Sequence, residues 1–154
     1  MPDELARLAY DSSLRSLDKQ DEVFSELRAR TGLVLAASAL AASFLGDTAL
    51  DNGPLVLTVL ALLAFACSVG ASIYVLLPKR DLIFSLAGSR IYEELYEFRD
   101  DIDEVHRRLA YDLDRFREHN DDALQSLLRG FQTASVALAA EVIFLLLAVG
   151  GTLG

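Results

Sequence analysis

The sequence has no tryptophan, one cysteine, one methionine, three prolines and two histidines. A single cysteine excludes both an intramolecular disulfide framework and a multi-cysteine zinc site. The two histidines, His106 and His119, share no metal-ligand spacing with Cys67 or with each other, and we expect His106 at the surface. The chain also lacks a P-loop, G-x-S-x-G, G-x-G-x-x-G, H-E-x-x-H and C-x-x-C. We therefore expect no metal, no cofactor and no enzymatic activity.

Basic residues are scarce and unevenly placed. Fourteen Lys and Arg stand against 23 Asp and Glu, which gives a formal net charge of −9. Phosphate binding needs clustered positive charge, so we expect no nucleic-acid partner. All fourteen basic residues lie in segments 1–30 and 78–129.

The apolar residues are gathered into blocks. Hydrophobic residues make up 53% of the chain, and the mean hydropathy is +0.32 although 24% of residues are charged. Three blocks cover residues 31–46, 54–77 and 130–153, of which the third contains one charge, Glu141. A membrane-spanning helix needs about 20 apolar residues, and the shorter first block can span if Arg28 and Arg30 extend toward the interface. The alternative, a soluble three-helix bundle, is disfavoured because a chain of this size cannot bury so much apolar surface.

The blocks predict an all-α membrane protein with three transmembrane helices and long cytoplasmic amphipathic or coiled helices. Lys and Arg remain on the cytoplasmic side of a membrane. The N-terminal helix 1–30 and the segment 78–129 are therefore predicted to be cytoplasmic, and the loop 47–53 and the C-terminus to lie outside. We expect a multi-pass protein of a bacterial-type inner membrane. The acidic N-terminus MPDEL lacks the positive region of a signal peptide, so no cleaved leader is expected.

The two cytoplasmic segments carry narrow apolar stripes. No Gly or Pro separates the first helix from block one, so the two can be continuous, and Pro78 ends block two. A stripe with steps of four and three runs along residues 90–129 through Ile91, Leu95, Phe98, Ile102, Val105 and Leu109. Its partner is either the helix 1–30 or identical helices of neighbouring subunits, and we expect a homo-oligomer. Asn120 could cap a fresh helix and fold the segment into a hairpin, or the helix could run on.

Glu141 is the first candidate for function, because it lies about eleven residues into the third block, near mid-bilayer. A carboxyl group at this depth usually faces a bundle interior or a water-filled path. Small residues share its helical face, namely Ala134, Ala137 and Ala148. Polar partners are available in the other blocks, namely Ser38, Ser43, Ser68, Ser72 and Tyr74. Glu141, with Ser38 and Ser43, either belongs to an ion or proton path at a subunit interface or hydrogen-bonds two helices together.

Block one carries a seam of small residues with steps of four and three: Gly32, Ala36, Ala39, Ser43 and Gly46. Small residues let membrane helices approach closely. The seam either packs against block two or against a copy of itself, or it lines a pore.

The layout resembles a known group of proteins. The run E-L-R-A-R-T-G-L-V-L-A-A-S over residues 26–38 leads a cytoplasmic helix into the first span, and L-L-P-K-R ends the second at Arg80. With the Arg30-Thr31-Gly32 start and Pro78, this arrangement resembles the small membrane effectors of bacterial nucleotide-signalling anti-phage systems, of the Pycsar-effector and SLATT types. The resemblance implies an oligomer that breaches the inner membrane when a second messenger is sensed. The chain has no recognisable nucleotide-binding domain, and no ligand-binding residue is carried over.

These observations give a leading expectation and two rivals. The leading expectation is an oligomeric pore-forming or membrane-disrupting effector gated through its cytoplasmic helices. The first rival is a non-conducting scaffold that recruits a cytosolic or membrane protein through its acidic helices. The second is a small ion or proton transporter subunit that uses Glu141.

Overall fold

The computed structural model describes residues 2–78 and 101–151, and within them it is all-α. Helix α1 covers Pro2–Asn52, α2 covers Leu55–Leu76 and α3 covers Ile102–Gly150. All three are long and apolar enough to cross a membrane. The link at 81–89 and three residues of the stripe, Ile91, Leu95 and Phe98, lie outside the described residues.

Prolines and one aspartate determine where the helices end. Pro54 has no backbone N–H and stands directly before α2. Leu77 precedes Pro78 and adopts φ −58° and ψ 134°, an extended conformation that the following proline favours. At the start of α3, Asp101 Oδ1 accepts a hydrogen bond of 3.1 Å from the Glu104 backbone N–H, as an N-cap residue does.

Two helices, α1 and α3, are continuous where the sequence left a break possible. The N-terminal helix does continue into block one. Helix α3 also runs through Asn120 without a break, so the hairpin alternative is wrong.

The loop between the first two apolar blocks is shorter than the sequence pattern predicts. Segment 47–53 was expected to be a loop because of its polar residues, but α1 continues through Asn52. Helical bonding persists to the Gly53 N–H, which donates to Ala49 O at 3.0 Å. Asp47, Thr48 and Asp51 are compatible with a helix, and the chain turns only where Gly53 and Pro54 interrupt it.

The described chain falls into two compact units. The charged unit comprises residues 2–25 and 101–125. Its core includes Leu17, Leu109 and Leu113, all buried. Gln20 Nε2 donates to Arg117 O at 3.2 Å and to Asp121 Oδ1 at 2.6 Å, so the N-terminal part of α1 is in contact with α3 here.

The apolar unit comprises residues 26–78 and 126–151 and is a three-helix bundle. Its buried positions are mostly small or hydroxyl-bearing: Thr31, Ser38, Ala49, Thr58, Ala61, Ser68, Ser72, Ala134, Ala137 and Ala148. Many of its large apolar side chains face outward, and Phe44 and Leu55 are 77% and 78% exposed, whereas Val75, Leu127 and Leu145 are buried. A water-soluble domain has the opposite arrangement, since it buries Leu and Phe first. Membrane helices pack through small residues and turn large apolar ones to the lipid.

Gly53 is the tightest point of the turn between α1 and α2. A Cβ there would lie 2.5 Å from Ala49 O, 3.1 Å from Thr58 Oγ1 and 3.2 Å from Ala148 Cβ. The first of these is a backbone atom, which cannot rotate away. Glycine at this position therefore allows the three helices to meet.

We predict that Gly53→Ala destabilises the bundle by about 1–3 kcal/mol, the usual range for an overpacked site. SDS-induced unfolding in detergent micelles, followed by circular dichroism, measures the change. Gly70→Ala in α2 is the matched control, because a Cβ at Gly70 would meet nothing within 4 Å. Equal stability of the two variants would contradict the close approach at Gly53.

Candidate functional site

A buried carboxyl group and a buried hydroxyl group meet inside the apolar unit. Glu141 on α3 and Ser38 on α1 both have no exposed surface. Ser38 Oγ donates a hydrogen bond to Glu141 Oε2. Of the polar partners that the sequence offers to Glu141, the bundle thus brings Ser38 to it.

The second carboxyl oxygen of Glu141 is not hydrogen-bonded in the described part of the chain. Glu141 Oε1 is buried and has no hydrogen-bond partner among the described residues. Glu141 also lines a cavity of about 330 Å³ in the apolar unit. All three helices contribute to its wall: Ala42, Ser43, Gly46, Asp47, Ala49, Leu50, Thr58, Ala61, Leu62, Phe65, Glu141 and Leu145. The unbonded oxygen therefore belongs to a group that borders open space.

The cavity extends from the level of Glu141 toward the α1–α2 turn. On α1 its wall begins at Ala42, one turn beyond Ser38, and continues to Asp47 and Leu50. Ser38 and Asp47 are nine residues apart, which is about 14 Å along a helix. The cavity thus connects a carboxyl group in the bundle interior with a second carboxyl group near the helix end, where Asp47 is exposed.

The remaining buried hydroxyl groups mostly hold helices together. Thr58 Oγ1 donates to Ala49 O at 2.9 Å, which joins α2 to α1. Ser68 Oγ donates to Ala134 O at 3.2 Å, which joins α2 to α3. Ser72 Oγ is buried without a hydrogen-bond partner in the described part of the chain.

Small residues share the buried face of Glu141 on its own helix, as the sequence suggests, and Leu145 lies on that face with them. Ala134, Ala137 and Ala148 are buried on the same face of α3. Ala148 packs in a cluster with Ala49, Ala61 and Leu145. Tyr74, another predicted partner, pairs instead with Ser126 at an oxygen–oxygen distance of 2.6 Å.

The seam of small residues lies on a different face of α1. Ala36, Ala39 and Ser43 are exposed, and Gly32 and Gly46 are partly buried. A Cβ added at either glycine would meet nothing within 4 Å. At 100° per residue the centre of the seam lies about 120° around the helix from Ser38. Two seam residues, Ser43 and Gly46, also border the cavity. The seam is therefore centred on a different face of α1 from Ser38, and its end toward the α1–α2 turn reaches the cavity.

The described residues of the apolar stripe differ in burial within the charged unit. Leu109 is buried, Val105 is partly buried and Ile102 is 66% exposed. Of the two partners expected for the stripe, the N-terminal part of α1 contacts α3 close to Leu109, through Tyr10 and His106. His106, expected at the surface, is half-buried and packs against Tyr10 with ring centroids 5.5 Å apart.

Sequence reasoning missed two contributors to the cavity, Asp47 and Thr58. Asp47 was assigned to a loop, and Thr58 looked like one polar residue within an apolar block. The signal that could have found Thr58 is its position four residues after Pro54, at the start of α2. From there its hydroxyl group also reaches Pro54 O, at 3.3 Å.

The site does not have the composition of a metal centre. Within residues 2–78 and 101–151, no three His, Cys, Asp or Glu side chains gather as metal ligands. The arrangement can instead bind a proton or a single cation at a carboxyl oxygen that has one hydroxyl donor. Comparison of the chain with protein-family models, with curated proteins and with solved structures finds no match.

We predict an energetic coupling of about 1 kcal/mol between Ser38 and Glu141, the upper range for hydrogen bonds between membrane helices. A double-mutant cycle of Ser38→Ala and Glu141→Leu, measured by SDS-induced unfolding, gives this value. The control cycle replaces Ser38→Ala by Thr48→Ala, since Thr48 is exposed on the same helix and does not border the cavity. Additive effects in the first cycle would show that the pair contributes no interaction.

Proposed function

We propose that this chain is a three-span protein of a bacterial-type inner membrane that assembles into a homo-oligomer and lets ions cross, as a pore-forming effector gated through its charged unit. The observation that carries the proposal is Glu141, a carboxyl group buried in a spanning helix with one unbonded oxygen beside a cavity. Charged or ionisable groups within a bilayer are costly, and they are typically kept where an ion or proton moves.

The orientation in the proposal has the N-terminus in the cytoplasm and the C-terminus outside. All fourteen basic residues then lie on the cytoplasmic side, as the positive-inside rule requires. One of them also has a structural role at that end of the bundle: Arg28 Nη2 donates to Leu77 O at 3.2 Å, at the C-terminal end of α2. In this orientation the cavity extends from Glu141 toward the outer surface.

The proposed oligomer contact is the seam of α1. Its Ala36, Ala39 and Ser43 are exposed, and additional atoms at Gly32 and Gly46 would meet empty space. Such a face permits a second helix to approach closely, which is how membrane helices gain van der Waals contact. The seam would join subunits while the Glu141 pair lies within each subunit.

A non-conducting scaffold is the second candidate, and exposed apolar side chains in the charged unit favour it. Leu5, Leu8, Ile102 and Tyr111 are each more than 60% exposed. Apolar groups on an otherwise charged surface mark contact sites for proteins. A cytosolic partner that covers them would make recruitment, rather than conduction, the function.

We predict that expression of the chain depolarises bacterial cells and that Glu141→Leu reduces the ion flux at least several-fold, because the variant removes the carboxyl group from the path. Flux into liposomes containing the purified protein measures this directly. Glu118→Leu is the matched control, as it removes an exposed carboxyl group from the same helix. Wild-type protein that leaves cells polarised and liposomes tight would favour the scaffold.

For assembly, we predict that Ala39→Phe lowers the mass of the protein in detergent toward that of one chain, because the large ring blocks close approach at the seam. Light scattering with detergent correction measures the mass. The control is Ala37→Phe, at an exposed position that is not in the seam. A wild-type mass of one chain, or no difference between the two variants, would contradict the proposed contact.

A further inference from the structure

The cavity beside Glu141 has an apolar wall with charge at two points. Leu50, Leu62, Phe65 and Leu145 supply most of its large side chains, and its acidic groups are Glu141 and Asp47. Its volume of about 330 Å³ lies at the lower end of the range for small-molecule pockets. Such pockets combine a mostly apolar wall with a few polar groups that orient the ligand.

The side chains that line the cavity do not provide the ligands that a divalent metal ion needs. Ca²⁺ and Mg²⁺ need about six or more oxygen ligands around one point. Ser38, which bonds to Glu141, and Asp47 lie about 14 Å apart along α1, so the two carboxyl groups do not surround one point. The Thr58 hydroxyl group donates to Ala49 O. Among the residues that line the cavity, Glu141 is the buried acidic one.

We propose that the cavity binds a small organic ammonium ion with an apolar substituent. Its cationic head would pair with Glu141 Oε1, the buried oxygen that has no partner among the described residues. The positive charge would offset the cost of a carboxylate in an apolar environment. The Phe65 ring would face the cation or its substituent, which adds a cation–π attraction. The leucine side chains would cover the apolar part.

This binding site goes beyond the proposed conduction and does not depend on it. A protein that never conducts ions could still bind the ligand, because the inference rests on the shape and charge of one cavity within one chain. Charge on Asp47, at the exposed end, would attract the cation toward the opening.

The test is isothermal titration calorimetry of the full chain in detergent with benzyltrimethylammonium, and with its neutral isostere neopentylbenzene as the reference. We expect the cation to bind more tightly than the isostere. Glu141→Gln keeps the shape of the side chain and should weaken cation binding at least 10-fold while leaving the isostere unchanged. Phe65→Leu should weaken binding of the cation about 2- to 30-fold, the range of a cation–π contact.

Two further variants complete the test. Asp51→Asn removes an exposed carboxyl group that does not border the cavity, and it should leave cation binding unchanged. Leu62→Trp places a larger side chain at the cavity from an exposed position outside the seam and should abolish binding of the cation, even if Glu141→Gln proves too unstable to study. The proposal is overturned if the isostere binds wild type as tightly as the cation does, or if Leu62→Trp or a folded Glu141→Gln binds the cation as wild type does.

Discussion

The apolar unit depends on one constraint: a polar group within a span has no water to bond and must find its partner in the bundle. Helices satisfy their own backbone, so the constraint falls on side chains. Thr31 meets it within its own helix by donating to Leu27 O at 2.7 Å. Ser38, Thr58 and Ser68 meet it across helices, and their hydrogen bonds join α1 to α3, α2 to α1 and α2 to α3. All three pairs of helices are therefore joined by a hydroxyl group.

Small side chains make these hydrogen bonds geometrically accessible. A serine or threonine hydroxyl reaches a neighbouring helix only if the two backbones lie close, and alanine or glycine at the contact allows this. Ala134 provides both the small side chain and the carbonyl that accepts from Ser68. Ser72 Oγ and Glu141 Oε1 are buried without a hydrogen-bond partner among the described residues. Glu141 differs from Ser72 because its side chain can also carry a charge. An unsatisfied buried group of this kind is expensive, and it is the reason for assigning it a function rather than a purely structural role.

The contact with Glu141 and the centre of the seam lie on two different faces of α1. The face with Ser38 turns inward to Glu141, whereas the face with Ala36 and Ala39 turns outward. A pore that is lined by both at a subunit interface would need them on one side of the helix. Their separation by about 120° instead places the Ser38 contact inside the bundle and leaves Ala36 and Ala39 on its exposed surface.

Sequence alone determined the helical class, the three apolar blocks, the helix end before Pro78 and the place of Glu141 as the one charge in the third block. Each of these depends on local composition or on a single residue that differs from its neighbours. It could not determine which serine meets Glu141, since Ser38, Ser43, Ser68 and Ser72 are equivalent until the rotation of each helix is fixed. Tertiary packing also decided that Asp47 and Thr58 share a cavity with Glu141 and that the seam is exposed. Rotation and crossing of helices arise from contacts between residues distant in the chain, so the structure determines them and periodicity does not.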